Sequence, residues 1–258
     1  MPTGSIIIPT LNRSECLRDC LESLWAQTNQ DFEIIKVTEE GPLAKLRNQG
    51  AARSRGKILV FIDDDVICSP KWFESILAAF DSSETISGVS GPSFISGKFR
   101  RNRAIFRYSA LKWIYDQIFL GSQARLPGHI TQAGAWTTGA CDKSCDYNGA
   151  VEFLEACNMS FRADVFRHFD GFDEYFQGIG DWSEPDLCFR MREYGHRLWF
   201  SKDVVLEHRP SKSGAFSKRK DQGLIRFKNY ELFSERWVHP CWQHSLYKLV
   251  LKGYLGCL

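Results

Sequence analysis

The stretch Gly56-Lys57-Ile58-Leu59-Val60-Phe61-Ile62-Asp63-Asp64-Asp65 decides how this 258-residue chain folds. Its apolar, partly β-branched run between a glycine and a polar break predicts a strand from Lys57 to Ile62, covered on both faces like the centre of a parallel sheet. In open α/β sheets, ligands bind at the carboxyl ends of such strands, and there the three aspartates fall. Adjacent carboxylates repel: at an effective dielectric of 20, a pair about 4 Å apart costs roughly 4 kcal/mol. A hard divalent cation, Mn²⁺ or Mg²⁺, offsets that repulsion, because such ions take oxygen ligands alongside substrate phosphates. A solvated acidic turn is the other reading of the triplet taken alone.

Outward from this strand the first ninety residues alternate between strand and helix. Strand Ser5 to Ile8 runs into Pro9-Thr10-Leu11-Asn12 and a helix in which Leu17, Cys20, Leu21, Leu24 and Trp25 recur at helical spacing, with Asn12 and Glu15 as a capping box. Strand Phe32 to Val37 ends at Glu39-Glu40, and a helix follows from Pro42 to Gly56. Ser69-Pro70 opens an amphipathic helix through Trp72, Phe73, Ile76, Leu77 and Phe80, before a strand from Ile86 to Ser90. Two crossover units of this kind predict parallel strands with right-handed connections. Residues 92–150 read as a loop-rich insertion over the strand ends, with one helical segment from Ala104 to Phe119; loops so placed commonly carry specificity. Beyond it lie a helix start at Phe161 to Phe166 and the turn Gly171-Phe172-Asp173-Glu174. A helix from Leu187 to Tyr194 follows Ser183-Glu184-Pro185-Asp186. Strands Arg197 to Phe200 and Val204 to Glu207 come last, closed by His208.

Composition bounds the function. With 43% hydrophobic and 25% charged residues the chain can bury a large core, and a net charge of +2 argues against a dedicated nucleic-acid binder. Basic residues gather at Arg100, Arg101, Arg103 and Arg107, and again at Lys212, Lys218, Arg219, Lys220, Arg226 and Lys228. Either group is a solvated face, or the second meets phosphate or an anionic membrane. Nine cysteines, an odd number, point to a reducing, cytoplasmic setting. Cys141 and Cys145, with Asp142 and Asp146, offer a metal clip or a labile disulfide, but no second Cys/His pair at zinc spacing follows. Met1 to Gly4 leads straight into a strand, so no signal peptide is expected, and no run of eighteen apolar residues occurs. The segment Trp237 to Leu258, where Trp242, Leu246, Leu249, Val250 and Leu251 mix with Lys248 and Lys252, reads as an amphipathic helix. It lies on the inner face of a membrane or packs on the domain.

The motifs acquire meaning from their order. Ile6-Ile7-Ile8-Pro9-Thr10-Leu11-Asn12-Arg13, Val60-Phe61-Ile62-Asp63-Asp64-Asp65, Cys157-Asn158-Met159-Ser160-Phe161-Arg162, Gly171-Phe172-Asp173-Glu174, Ser183-Glu184-Pro185-Asp186-Leu187 and His208 together resemble a glycosyltransferase of family 2. The resemblance covers residues 5 to 230. It implies the GT-A nucleotide-diphospho-sugar transferase fold, a central mostly parallel sheet flanked by helices. Residues 1–258 then form one domain, with a nucleotide-sugar half at 1–91 and an acceptor half with a C-terminal helical extension at 92–258. It also implies a metal-dependent inverting transfer from a nucleotide-diphosphate sugar, UDP-sugar as the default, to a hydroxyl of a glycan or glycolipid.

Residue by residue, the resemblance puts Pro9, Thr10, Asn12, Arg13 and Glu39 beside the nucleoside and Lys45 or Arg47 on the nucleotide. Asp63 faces ribose or sugar, Asp64 falls beside it among the donor-binding residues and is the one of the three that supports the turn, and Asp65 holds the Mn²⁺ or Mg²⁺ ion with His208. Glu184 falls at the catalytic base, with Asp186 as the alternative. Trp136, Glu155, Asn158 and Trp182 fall on the acceptor side. Each has a plainer reading beside this one. Ser183-x-x-Asp186 is also a helix capping box, and carboxylates in a first helical turn complement the helix dipole without catalysis. His208 could be an ordinary strand-end histidine, Glu152 and Glu155 are rival bases, and Trp136, Trp182 and Trp199 are of the kind that builds cores. The pattern departs from the family at Thr38-Glu39-Glu40 and at Ser183-Glu184, where acid and aspartate pairs are usual. A nucleotidyltransferase on a related fold would favour a glycine-rich loop after the first strand, and residues 9–16 contain no glycine. A catalytically silent sugar- or partner-binding module is the remaining alternative, and it would not need Asp63, Asp65 and Glu184.

Overall fold

The computed structural model of the chain describes residues 1–11, 14–95, 109–137, 139–141, 144–210 and 222–256. Asn12, Arg13, the Arg100–Arg107 cluster, Asp142 and the basic residues from Lys212 to Lys220 lie outside them. Ten strands and eight α-helices are described. In chain order the first half gives β1 (Gly4–Pro9), α1 (Ser14–Trp25), β2 (Phe32–Val37), α2 (Leu43–Ala52), β3 (Ile58–Ile62), β4 (Val66–Cys68), α3 (Trp72–Asp81) and β5 (Ile86–Ser90). The second half gives β6 (Ser93–Phe94), α4 (Ser109–Tyr115), β7 (Gly149–Val151), β8 (Asn158–Arg162), α5 (Ala163–His168), α6 (Ser183–Glu193), β9 (Arg197–Phe200), β10 (Leu206–His208), α7 (Gly223–Trp237) and α8 (Trp242–Tyr254).

Seven strands form the main sheet in the order β2-β1-β3-β8-β5-β9-β7. β1 pairs in parallel with β2 and β3, as two crossover units require. β8 then enters antiparallel between β3 and β5, so the sheet becomes mixed in its second half. Both halves of the chain therefore build one sheet. Its sides are sorted by the two-residue period of the strands. Ile7, Leu59 and Phe61 join Leu46 of α2, Phe166 of α5 and Leu187 and Met191 of α6 on one side. Ile6, Ile8, Val60 and Ile62 join Leu17 and Leu24 of α1 and Trp72, Phe73 and Ile76 of α3 on the other. A third apolar cluster, with Phe119, Trp182, Phe227, Tyr230, Phe233 and Tyr247, lies between α7, α8 and the helical segment 116–123.

Several boundaries differ from expectation for physical reasons. Helix α2 ends at Ala52, four residues before Gly56. The glycine serves a close approach instead, since a Cβ there would sit 2.5 Å from the carbonyl carbon of Gly4. Phe161 and Arg162 are strand residues, because β8 is recruited into the sheet centre before the chain turns into α5. Helix α6 begins at Ser183, directly after Trp182 in the left-handed region at φ 78°. The C-terminal segment divides between α7 and α8 around His239-Pro240.

Candidate functional site

The triplet sits in the turn between β3 and β4. A small second sheet, β4-β10-β6, closes over it, and the antiparallel pairing of β4 with β10 sets His208 opposite Val66. That register delivers the imidazole to the aspartates: His208 Nε2 lies 3.2 Å from Asp65 Oδ1. Ligand atoms of Asp63, Asp65 and His208 all fall within 4.8 Å of one another, the one such group of three among the described residues. Two carboxylates and an imidazole suit a divalent cation such as Mn²⁺ or Mg²⁺, and their mutual repulsion is the kind a cation relieves. Burial raises the Asp63 carboxyl above its ordinary value, with Asp65 adding to the rise and the Arg47 charge opposing it. Burial alone would lower the His208 imidazole. Cys157, together with the hydrogen-bonded Asp65, outweighs it and carries the group up to about 11.

Asp64 points elsewhere. It is buried and accepts a 2.6 Å hydrogen bond from Thr10 Oγ1, so it ties the end of β1 to the turn. Pro9 ends β1 beside it. Glu39 is exposed and ion-paired to Arg53, and Lys45 stands on the solvent side of α2.

Glu184, in the first turn of α6, is 5% exposed and hydrogen-bonded by Arg47 of α2. Arg47 itself is 1% exposed; its NH2 also donates to the Ala156 carbonyl at 3.0 Å and lies 3.9 Å from Asp63 Oδ1. The β3–β8 register sets Asn158 opposite Ile62, which brings residues 155–157 alongside the aspartate turn. Glu155 is half-buried there, and burial followed by the Glu184 charge pushes its carboxyl up to about 7. Glu152 instead accepts from the Ile130 amide and pairs with Arg192.

Three other sequence candidates are held inside the protein. Asp186 is fully buried and accepts hydrogen bonds from Arg190, Arg236 and Trp237 at 3.0, 2.9 and 2.9 Å. Asn158 accepts from Trp72 Nε1 at 2.9 Å and donates to the carbonyls of Gly91 and Val204 at 3.0 and 2.8 Å. Trp182 stacks on Trp136 at 4.5 Å and is flanked by Tyr230 and Phe233 at 5.0 and 4.9 Å. Cys145 is a free thiol, and Asp146 pairs with Lys202 at 2.6 Å. Sequence reasoning missed the Cys157–His208 contact, the Arg47–Glu184 pair and the clamp of Arg236 and Trp237 on Asp186. All three join residues distant in the chain.

The model of glycosyl transferase family 2 matches residues 5–40 and 38–138, more than half of the chain. The chain belongs to glycosyl transferase family 2. Among similar family relatives, the glucosyl-dolichyl phosphate glucuronosyltransferase of Haloferax volcanii is 22% identical over 244 residues, 80% of this chain and 68% of that protein. The validoxylamine A glucosyltransferase of Streptomyces hygroscopicus subsp. jinggangensis is 24% identical over 246 residues, 79% of this chain. This chain spans only 54% of that second protein's length. The GT-A fold is shared with two solved structures. One is the mannosyltransferase PcManGT of Pyrobaculum calidifontis in complex with GDP-Man and Mn²⁺, with a TM-score of 0.54 and 15% identity over 98% of this chain and 70% of that one. The other is GalNAc-T7 with UDP, GalNAc and Mn²⁺, with a TM-score of 0.63 and 12% identity over 92% of this chain and 48% of that one. No helix among the described residues is long and apolar enough to cross a membrane.

Proposed function

We propose that this family 2 member is a metal-dependent, inverting glycosyltransferase that moves a sugar from a nucleotide-diphosphate donor to a hydroxyl of a glycan or glycolipid. The observation that carries the reading is the convergence of Asp63, Asp65 and His208 at the end of β3. Asp65 and His208, with Asp63, would hold Mn²⁺ or Mg²⁺, which when bound supplies Lewis-acid stabilisation of the departing diphosphate. Glu184 takes the proton from the acceptor hydroxyl, whose oxygen attacks the anomeric carbon from the face opposite the diphosphate. A positioned base of this kind contributes about 10²- to 10⁴-fold in rate. Asp186 is assigned to structure, because each of its oxygens already accepts a hydrogen bond within the fold. Glu155, which feels the charges of both Glu184 and His208, takes the acceptor side, whereas Asn158, Trp136 and Trp182 shape that side from within the protein. The solved GT-A structures holding GDP-Man or UDP with Mn²⁺ support a nucleotide-sugar donor. The exposed Trp242 and Leu249, on one stripe of α8, support a peripheral membrane contact for a lipid-linked acceptor. Sedimentation with anionic vesicles tests that contact.

The decisive experiment is a melting series with UDP-, GDP-, dTDP- and CDP-sugars, with and without Mn²⁺. A ligand at 100 times its Kd stabilises the native state by about 2.7 kcal/mol. The expected result is a metal-dependent shift with one nucleotide class, lost in Asp65→Asn. Glu184→Gln should keep the shift and lose transfer. Saturating nucleotide without any metal-dependent shift would overturn the reading.

A further inference from the structure

We propose that Arg47 serves the base rather than the donor: it is the positioning residue that holds the Glu184 carboxylate in place and fixes which of its oxygens meets the acceptor. This rests on the reading of Glu184 as the base. A guanidinium that is 1% exposed has little access to a diffusing nucleotide. Its donors are directed within the protein, NH1 to Glu184 Oε1 and NH2 to the Ala156 carbonyl at 3.0 Å. The Phe172 ring, with its centroid 5.6 Å from the guanidinium carbon, limits where the plane can go. Arg47 is thus held by three partners on different segments. The pair is made through Oε1, which assigns proton acceptance to Oε2.

The same cation lies 3.9 Å from Asp63 Oδ1. One buried positive charge therefore stands between the carboxylate of the base and a carboxylate of the metal group. Arg47 thus fixes the Glu184 carboxylate in place while standing beside the metal group. Lysine at this position would keep a positive charge but lose the planar fork that reaches Glu184 and Ala156 together.

The test measures kcat and donor KM for the wild type, Arg47→Lys and Arg47→Met, in the native chain and in Glu184→Gln. Melting shifts with UDP and GDP plus Mn²⁺ are measured in parallel. In Arg47→Met, kcat should fall roughly 10²-fold or more. Donor KM and the nucleotide melting shift should stay within roughly twofold, because they read binding and not proton transfer. Arg47→Lys should recover part of the rate. In Glu184→Gln, Arg47→Met should add no further loss. A tenfold rise in donor KM, or a lost nucleotide shift, with kcat unchanged would make Arg47 a donor-binding residue and overturn the inference. If Arg47→Met does not fold, Arg47→Lys decides, and an unchanged kcat there overturns it equally. Full transfer by Glu184→Gln would instead remove the base reading itself, a result distinguishable from an inactive Glu184→Gln with kcat unchanged in the Arg47 variants.

Discussion

Asp64 is buried against Thr10 while its two neighbours turn toward His208, so one carboxylate of the triplet builds the turn and two are left for chemistry. Asp64→Ala leaves a buried hydroxyl without this acceptor, a loss of about 1–3 kcal/mol in urea denaturation. The Mn²⁺-dependent nucleotide shift should survive in it, whereas Asp65→Asn should lose that shift. His208 carries a pH signature. Its imidazole rises from 6.5 to about 11 beside Asp65 and Cys157. A raised folded pKa gives stability that is fully present below about pH 6.5 and is lost as pH climbs toward 11. Metal ligation needs the neutral nitrogen, so proton and metal compete. The metal-free protein should melt at falling temperature above pH 6.5, while the increment from Mn²⁺ grows and calorimetry registers proton release. His208→Asn should flatten both trends. The aspartates were legible because three carboxylates at a strand exit are a local signal. The contacts of Cys157 with His208 and of Arg47 with Glu184 were not, because a thiol among apolar residues and an arginine on a helix do not show their partners until strand register and helix packing bring them together.

Helix α6 is the element on which the base depends, and its start is held from outside. Trp182 adopts φ 78°, a conformation costing of order 1–3 kcal/mol for a residue other than glycine, and its aromatic neighbours over-determine it. One turn further on, Asp186 collects Arg190 of the same helix and Arg236 and Trp237 of α7. Removing the carboxylate leaves two guanidinium groups and an indole N–H without their shared acceptor. Breaking a buried ion pair from one side typically costs about 3–5 kcal/mol. Asp186→Ala should therefore lose roughly that much in urea denaturation. Arg236→Met should lose less, since Arg236 is one-third exposed and Arg190 and Trp237 still serve Asp186. A stable Asp186→Ala protein that binds donor but cannot transfer would return Asp186 to catalysis. Sequence pattern identified this helix but started it at Leu187. Ser183-x-x-Asp186 reads as a cap only while Asp186 is imagined in solvent, and its partners lie some fifty residues downstream. The β–α alternation of residues 1–90, by contrast, is written in local periodicity, and the strand Ile86 to Ser90 was placed at its observed bounds.

At the scale of the molecule, metal group and base rest on different cores. Asp63, Asp65 and His208 are carried by β3, β4 and β10, with Val60, Ile62, Val66 and Leu206 in the core beneath α1 and α3. The start of α6 is braced by the third cluster, in which Trp182 touches Tyr230 at 5.0 Å and Tyr230 touches Tyr247 of α8 at 5.6 Å. This arrangement was only half legible. The C-terminal amphipathic pattern announces a helix but not which surface it covers, and β8, antiparallel at the sheet centre, is specified by long-range pairing alone. The division has a measurable consequence. Ending the chain after Val238 removes α8 and uncovers Phe119 and Tyr230, which Tyr247 now covers. Large apolar surface returned to water weakens the cluster by about 25 cal/mol per Å². The shortened chain should melt earlier, bind a hydrophobic dye and lose transfer as Trp182 loses its brace. Its Mn²⁺-dependent nucleotide shift should remain, because the apolar cluster under the metal group's strands contains no residue of α8. Loss of that shift together with transfer would show instead that the three clusters fold as one cooperative unit, and that α8 is required for the donor site as much as for the base.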